Sequence, residues 1–335
     1  MKSKITIKDI ARELNIHHTT VSRALRNDMR ISEKVRHNIV AYAREHGYEV
    51  NQNALNFRNN GRREIALIVP NISHYTFSYF ISKFGELAQQ HGFIVSVFQS
   101  QENVEIENQI IQTIIRNRVM GVVASISKTT HSGEQYAKII NFGIPLVFFD
   151  RVCNDVETSK VMTDNRQATQ DAVHYLFNKG YRRIAHITRP QHINVFHDRH
   201  QGLVAGLDEF NLSYRNTIVV DKEFELSDGA SAFNTLMLSP ERPDAVLCDS
   251  FLLSAGLMQQ CKLKGVRIPE DLSVMAIAND PFSALIDPPQ TVLEQPIDEI
   301  VTSAFDLLLQ YNDPNADHSP RQIFHSVKLI ERKSV

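Results

Sequence analysis

Within residues 6–47 the apolar positions follow a helical pattern in three short segments. The first segment, TIKDIARELN, spaces its apolar side chains three and four residues apart, and its leading threonine and aspartate match a capping box. The second covers residues 18–26, and the third begins at a candidate cap, Ser32, includes Val35 on its inner face and ends near Gly47. Residues 15–17 alone separate the first two segments. The pattern therefore predicts two helices joined by a short turn, followed by a third helix.

From residue 64 onward, short apolar runs alternate with amphipathic helical stretches. Four apolar runs have the length of buried strands: EIALIVP, FIVSVFQS, MGVVAS and GIPLVFFD. The alternation then repeats with VMTDN, RRIAHIT, TIVV, DAVLCD and LSVMAIA. A last helix near residues 297–311 precedes HSVKLIER. Strands that alternate with helices form parallel sheets wound by right-handed crossovers. Two such runs of similar length predict two doubly wound lobes with a cleft between them.

Charge distinguishes these two parts of the chain. Residues 1–63 contain 13 Lys and Arg against 6 Asp and Glu, a net charge of +7, whereas the remaining residues contain 23 against 32, a net charge of −9. A basic head on an acidic body indicates that the head binds a polyanion. The alternative is a basic surface that is only solvated.

The segment NQNALNFRNNGRR, residues 51–63, connects head and body. Its five asparagines and one glycine are typical of a linker. Ala54, Leu55 and Phe57 fall within one helical turn, but a helix this short is marginal in isolation because nucleation is costly. We therefore expect a helix here only where a partner stabilises it.

The second predicted helix, HHTTVSRAL, is polar on one side. Val21, Ala24 and Leu25 can pack inward, which leaves small hydrogen-bonding side chains and an arginine outside. Two helices joined by a short turn form a helix-turn-helix, whose second helix enters the DNA major groove. Arg23 suits guanine O6 and N7. The alternative is a three-helix unit that binds protein.

The head residues predicted to contact DNA share a basic or hydrogen-bonding side chain. Arginine suits guanine, histidine and threonine can contact base edges or phosphates, and hydroxyl groups suit phosphates. The candidates are Thr6, His17, His18, Thr19, Thr20, Ser22, Arg23, Arg26 and Ser32.

The segment TIKDIARELNIHHTTVSRALRN resembles the head of the lac/galactose repressor family, whose signature has the form T-[IL]-x-D-[VI]-A-x-x-[AL]-x-[VI]-S-x-x-T-V-S-R-x-L-N. The resemblance continues through GYEVNQNALNFR, IALIVPNISHYTF, GIPLVFFDR, NKGYRRIAHI, DRHQGLVAGL, GVRIPEDLSVMAI and PPQTVLEQP, over residues 5–330. It implies an all-α helix-turn-helix head at residues 1–50 and a hinge at 51–63. It also implies an α/β body of the periplasmic-binding-protein type at 64–335, with two doubly wound parallel-sheet lobes that bind effector and mediate dimerisation.

The same resemblance implies a transcriptional regulator, in most cases a repressor. Such proteins bind pseudo-palindromic operators in double-stranded DNA as homodimers or tetramers, because two-fold protein symmetry matches two half-sites. Their hinge becomes helical on DNA and inserts an apolar side chain into the minor groove. The matching positions are Asn51, Ala54 and, for the inserted side chain, Phe57. Val50 stands where the family usually has proline, and the alternative for Phe57 is packing on its own body.

The resemblance further implies that a small molecule, commonly a sugar or sugar derivative, binds in the cleft and controls DNA affinity. Arg199 and Asp150 can hold hydroxyls or a carboxylate, and phenylalanines offer flat apolar faces. Ser250-Phe251 replaces the family's usual Asn-Asp pair, and Ala278 replaces an acid. These departures imply a different ligand, a ligand held by other groups, or none. The candidate effector residues are Phe77, Asp150, Arg199, Phe224, Ser250 and Gln295.

Other classes of protein fit the sequence less well. There is no glycine-rich nucleotide motif, HExxH, CxxC or nucleophile elbow, so we expect no enzyme, no cofactor and no metal. The three cysteines are widely spaced, and no signal segment or membrane-length apolar run is present, which predicts reduced thiols in a cytoplasmic protein without a membrane partner. A secreted sugar-binding protein is the alternative for the body alone, but the basic head argues against it.

Overall fold

The computed structural model describes residues 6–25, 28, 30–46, 63–213, 216–220, 225–278 and 280–335. The chain forms two compact units, residues 1–62 and 63–335. The first contains the predicted helical head, and the second contains the predicted α/β body.

The described residues of the head form three helices around a small apolar core. The helices are α1 (Ile7–Glu13), α2 (His18–Ala24) and α3 (Glu33–Glu45). Ile10, Val21 and Ile39 are at most 1% exposed and bring one apolar stripe from each helix to the centre. The helical spacing read from the sequence is therefore the spacing that builds this core.

The N-terminal caps of the head helices match the caps predicted from the sequence only in part. The amide of Asp9 donates to Thr6 Oγ1 at 3.3 Å and the amide of Thr6 donates to Asp9 Oδ2 at 3.0 Å, which is the predicted capping box. Ser32 occupies the N-cap of α3, but its side chain makes no capping hydrogen bond. Val35, predicted to face inward, is 37% exposed because Ile39 and Ala43 supply the buried contacts of α3.

The body alternates strands and helices along the chain. Six of its strands are buried at every residue, as expected for parallel sheets covered on both faces: β3, β4, β5, β6, β8 and β9. The elements are β1 (Glu64–Val69), α4 (Tyr75–Gln90), β2 (Ile94–Gln99), α5 (Val104–Asn117), β3 (Gly121–Ala124), α6 (Glu134–Asn141), β4 (Leu146–Phe149), β5 (Ser159–Thr163), α7 (Asn165–Asn178), β6 (Ile184–Thr188), α8 (Asn194–Glu209), β7 (Asn216–Val219), α9 (Leu226–Leu238), β8 (Ala245–Cys248), α10 (Phe251–Lys264), β9 (Ser273–Ile277), β10 (Thr291–Glu294), α11 (Ile297–Gln310), β11 (Gln322–His325) and β12 (Lys328–Ile330).

The strands of the described residues form two sheets, one in each lobe. The first has the order β2-β1-β3-β4-β5-β11 and is parallel throughout, and the second has the order β7-β6-β8-β9-β10-β12, with only β12 antiparallel. The first five strands of each lobe thus share one winding order. In such sheets the crevice beyond the carboxyl ends of the strands is where ligands bind. The prediction of two doubly wound lobes is confirmed.

Within the described residues the chain passes between the lobes at three places: from β5 to α7, from β10 to α11, and from β11 to β12. Helix α7 packs in the core of the second lobe, and α11 packs in that of the first. The sequence pattern did not show that HSVKLIER is divided between two sheets, or that Thr291–Glu294 forms a strand of its own. Strands of three or four residues are too short for a clear alternation.

Helix α8 lies very close to α7 because residue 202 is a glycine. A Cβ on Gly202 would collide with the carbonyl oxygen of Arg166. At this contact Thr169 Oγ1 donates a hydrogen bond of 2.8 Å to the carbonyl oxygen of Arg199. The close packing therefore fixes the part of α8 that carries Arg199.

Candidate functional site

Helix α2 carries an exposed polar face on the head. Val21 and Ala24 are buried in the head core, whereas His18, Thr19 and Arg23 are exposed. This is the orientation predicted for the second helix of a helix-turn-helix, in which the side chains that read DNA point away from the core.

His17 begins α2 as its N-cap. Its Nδ1 accepts a hydrogen bond from the amide of Thr19 at 3.4 Å and lies 2.8 Å from Thr19 Oγ1. The rings of His17 and His18 lie 4.2 Å apart between centroids. Serine, threonine, aspartate and asparagine are the usual caps, so the sequence pattern placed His17 in the turn and did not predict it as a cap.

The other predicted head residues differ in how they are placed. Thr6 caps α1, and its Oγ1 donates to Asp9 Oδ2 at 2.6 Å. Thr20 and Ser22 are half-buried, and Ser32 is exposed at the start of α3. The predicted residues that lie outside the described residues are Arg26, Asn51, Ala54 and Phe57.

A cleft of about 310 Å³ lies between the two lobes of the body. It is bordered by the first turn of α4, by α8 and by the carboxyl ends of β4, β8, β9 and β10, which is where doubly wound sheets place ligands. The phenylalanines on its walls are Phe77, Phe196, Phe251 and Phe282, and Tyr75 also lines it. A cleft of this size and composition suits a small molecule.

Five of the six predicted effector residues line this cleft: Phe77, Asp150, Arg199, Ser250 and Gln295. The sixth, Phe224, lies outside the described residues. Ala278 also lines the cleft. Ser250 has a structural role as well, because its Oγ accepts a hydrogen bond of 3.2 Å from the amide of Leu253 and caps α10.

Asp150 is a buried carboxylate at the end of β4. It is 8% exposed and, within the described part of the chain, makes no side-chain hydrogen bond. Its backbone has φ of 57°, a left-handed conformation that is uncommon outside glycine and often marks a functional site. Burial raises the pKa of Asp150, and the charges of Arg151 and Arg199 oppose that rise. Both oxygens are therefore available to a ligand.

Arg199 is held by a buried polar network behind the cleft wall. Its Nε donates to Asn165 Oδ1 at 2.8 Å, and its Nη1 donates to the carbonyl oxygen of Asp249 at 3.2 Å and lies 3.6 Å from Asp249 Oδ1. Asp249 also accepts from Thr188 Oγ1 and lies 3.0 Å from His186 Nε2. Burial raises the pKa of Asp249, but its interactions with His186, Arg199 and Thr188 outweigh this effect, so the pKa is lowered.

A second buried ionic cluster joins Glu102 and Arg151 of the first lobe to Arg189 of the second. Arg151 Nη1 donates to both carboxylate oxygens of Glu102 at 2.9 Å, and Arg189 Nη1 lies 3.3 Å from Glu102 Oε1. The amide of Lys128 donates to Glu102 Oε2 at 2.7 Å. Burial raises the pKa of Glu102, but the two guanidiniums and this amide more than offset it, so the pKa is lowered.

Among the residues at this site that sequence reasoning missed are Arg151, Phe196 and Asp249. A signal for Asp249 was present, because it ends the strand segment DAVLCD at the edge where ligands bind. Phe196 lies three residues before Arg199 and therefore on the same face of α8. Arg151 offered no signal, because its role depends on its approach to Glu102.

The described residues contain neither a metal-binding cluster nor a membrane-spanning helix. Among them, no group of three or more His, Cys, Asp or Glu side chains is arranged to hold a metal ion. Over the same residues, no helix is long and apolar enough to span a membrane.

Comparison with known proteins identifies the family. Residues 6–51 match the family model of bacterial regulatory proteins, lacI family, and residues 173–335 match that of a periplasmic binding protein-like domain. Over 306 residues the chain is 31% identical to the HTH-type transcriptional repressor CytR of Escherichia coli, with 91% of this chain and 89% of CytR covered. The chain belongs to the lacI family. This lacI-family protein is a DNA-binding transcriptional regulator.

Solved structures show the same fold as this lacI-family protein. The Lac repressor dimer bound to operator and the anti-inducer ONPF has a TM-score of 0.83 at 20% identity, with 99% of both chains covered. The CelR–cellobiose complex has a TM-score of 0.72 at 21% identity, with 99% of this chain and 100% of that chain covered. The expected family and the expected helix-turn-helix head with a two-lobed α/β body are therefore confirmed.

Proposed function

We propose that this protein is a transcriptional repressor whose affinity for DNA is set by a small molecule in the cleft between its lobes. The observation that carries the proposal is Asp150, a buried carboxylate without a hydrogen-bond partner in the described part of the chain, which faces a cleft in a chain with a DNA-binding head. A carboxylate that faces the cleft without a protein donor can accept hydrogen bonds from a ligand.

On the DNA side, His18, Thr19 and Arg23 are the residues that we assign to base edges, because they are exposed on α2. The assignments to phosphates are Thr6, His17, Thr20, Ser22, Arg26 and Ser32. We keep the division into a head (1–50), a hinge (51–63) and a body (64–335). In the hinge, Asn51, Ala54 and Phe57 are assigned to the minor groove.

We infer that the protein binds a pseudo-palindromic operator as a homodimer or as a tetramer of two dimers. The Lac repressor, which shares the fold, was solved as a dimer bound to operator. Two copies of one head match two half-sites of opposite orientation, so dimer symmetry and operator symmetry support each other.

On the ligand side, we assign Phe77, Asp150, Arg199, Phe224, Ser250 and Gln295 to a carbohydrate or a sugar derivative. CelR, a structural relative, was solved with cellobiose. Sugar hydroxyls suit Asp150 as an acceptor, and the flat side of a sugar ring suits a phenylalanine face. A ligand bound between the lobes changes their closure, and it shifts DNA affinity only by its differential affinity for the two arrangements.

We also infer that the protein is not an enzyme, uses no cofactor and acts in the cytoplasm. The similarity to a named repressor and the DNA-binding head support this inference, because DNA is found in that compartment and a regulator needs no reaction of its own.

The proposal is tested by selecting duplex DNA from a random pool with the purified protein, with and without a panel of sugars and sugar phosphates. We expect an enriched palindrome whose recovery one of the small molecules changes. A palindrome that responds to no ligand would refute control through the cleft, and the absence of any enriched sequence would refute the assignment of α2.

Arg23→Ala is expected to weaken operator binding by about 1–3 kcal/mol and to relax the preference at one position in each half-site, because a bidentate arginine–guanine contact is lost. The matched control is Arg12→Ala, which removes an exposed arginine from α1. It should lower affinity evenly across sequences. The measurement is the same selection followed by titration of the selected operator. An unchanged motif for Arg23→Ala would contradict the assignment.

A further inference from the structure

We infer that Asp249 neutralises Arg199, and that the cleft therefore selects an uncharged ligand and rejects anions such as phosphate esters and carboxylates. The inference deepens the proposed function and rests on it, because it concerns the ligand of the same cleft.

The first argument is the pairing of Arg199. This side chain is 4% exposed and lies against Asp249, whose side chain is fully buried. Of its donors, Nε is directed to Asn165 and Nη1 to Asp249. A guanidinium recognises an anion by offering two parallel donors. Nε and Nη1 already donate into the protein, and the Asp249 carboxylate lies 3.6 Å from Nη1, so the positive charge of Arg199 is opposed before a ligand enters.

The second arginine of the cleft wall is also neutralised. Arg151 is 4% exposed, and its Nη1 contacts both oxygens of Glu102. Its guanidinium carbon lies 5.5 Å from the centre of the Phe77 ring and 5.7 Å from that of Phe196. Arg151 is thus held between aromatic faces and a carboxylate that it shares with Arg189, so its donors are already engaged before any ligand enters.

The third argument is the carboxylate of Asp150. Glu102 pairs with Arg151 and Arg189, and Asp249 pairs with Arg199 and lies 3.0 Å from His186. Asp150 lines the cleft and, among the described residues, forms no ion pair. An anion placed beside Asp150 would meet a like charge in a partly buried site, where repulsion is stronger than in water.

A sequence difference accords with this arrangement. Where the family usually has an Asn-Asp pair, this chain has Ser250-Phe251, and an aspartate stands just before them at Asp249. Here the acid lies behind Arg199 rather than at position 251 on the cleft wall. The phenylalanine increases the apolar part of the wall, which favours an uncharged molecule further.

The test uses the full-length protein and inorganic phosphate as the anionic probe, measured by isothermal titration calorimetry. Asp249→Asn removes the charge that balances Arg199, and Asp150→Asn removes the nearest unpaired carboxylate. The matched control is Asp271→Asn, which removes an exposed carboxylate paired with Arg267 outside the cleft. Both cleft variants should bind phosphate about tenfold or more tightly than the wild-type protein, because a like-charge repulsion is removed, whereas the control should not.

The second arm compares matched pairs of probes on the wild-type protein: D-glucose with glucose 6-phosphate, and D-ribose with ribose 5-phosphate. We expect neither phosphate ester to bind more tightly than its sugar. A phosphate ester that binds more tightly, or phosphate binding to the wild-type protein that Arg199→Ala abolishes, would overturn the inference.

The variants also decide between explanations. If Asp249→Asn does not fold, Asp150→Asn alone tests whether removing a cleft carboxylate raises the affinity for phosphate. This variant should fold, because the Asp150 carboxylate makes no hydrogen bond to a described residue. If Asp249→Asn folds and gains no phosphate affinity, Asp249 is not the neutralising group. A protein whose operator binding responds to no sugar would refute the proposed function, while the phosphate comparison would still test this inference.

Discussion

Operator affinity is expected to fall about 10³–10⁵-fold between 50 and 200 mM salt, provided that the dimer neutralises roughly 6–10 phosphates. Each neutralised phosphate releases condensed counterions, so the affinity depends steeply on salt. Residues 1–63 supply 13 Lys and Arg against 6 Asp and Glu, whereas the rest of the chain is acidic. The measurement is the binding of a fluorescently labelled operator over a series of salt concentrations.

Two lysine variants show whether the head is responsible for this salt dependence. Lys8 is exposed on α1 of the head, and Lys138 is exposed on α6 of the body. Lys8→Ala should reduce the slope of log affinity against log salt by about one for each protomer, whereas Lys138→Ala should leave it unchanged. A shallow slope in the wild-type protein, or equal effects of the two variants, would contradict binding through the head.

Glu102→Gln is expected to lower the free energy of unfolding of the body by about 3–5 kcal/mol, since removing one partner of a buried ion pair leaves a buried charge without its balance. Glu102 is 3% exposed and its carboxylate contacts Arg151 and Arg189. A neutral amide cannot balance the charge of Arg151. The measurement is denaturant unfolding followed by circular dichroism.

The matched control for this variant is Glu86→Gln. Glu86 pairs with Lys83 at 3.1 Å on the surface of α4, with the two side chains 58% and 37% exposed, and an exposed pair of this kind contributes about 0–1 kcal/mol.

The pH dependence of stability gives a second check on the role of Glu102. Because the pKa of Glu102 is lowered in the folded state, its contribution is present near neutrality and lost as the pH falls through that pKa. The difference between wild type and Glu102→Gln should therefore shrink in acid, and a constant difference would contradict the ion-pair explanation.

Local pattern was sufficient to predict the helices of the head and most strands of the body. The reason is that each apolar stripe packs against a neighbour close in sequence, as Ile10 and Val21 do in the head core. The effector residues were placed through family resemblance, and five of them do line one cleft.

The charge balance of that cleft was not predictable in the same way. Arg151 and Glu102 are 49 residues apart in sequence, and Arg189 and Glu102 are 87 apart. Such pairs form only when two strands and their loops meet in the folded body, and no local pattern records the partner. The capping role of His17, a predicted DNA-binding residue, was not foreseen for a different reason, because imidazole is rarely the cap of a helix.

The three passages of the chain between the lobes have a consequence for synthesis. Strand β5 ends at Thr163, yet its neighbour in the first sheet, β11, comes from Gln322–His325, and the second sheet is completed by Lys328–Ile330. Neither lobe is therefore a continuous stretch of chain that a ribosome could release finished. Strand β5 lacks its neighbour β11, and β10 lacks its neighbour β12, until the segment that ends at residue 330 has been made, and unpaired strand edges are where chains aggregate. We therefore expect the edge of β5 to stay without its final neighbour while most of the second lobe is being made.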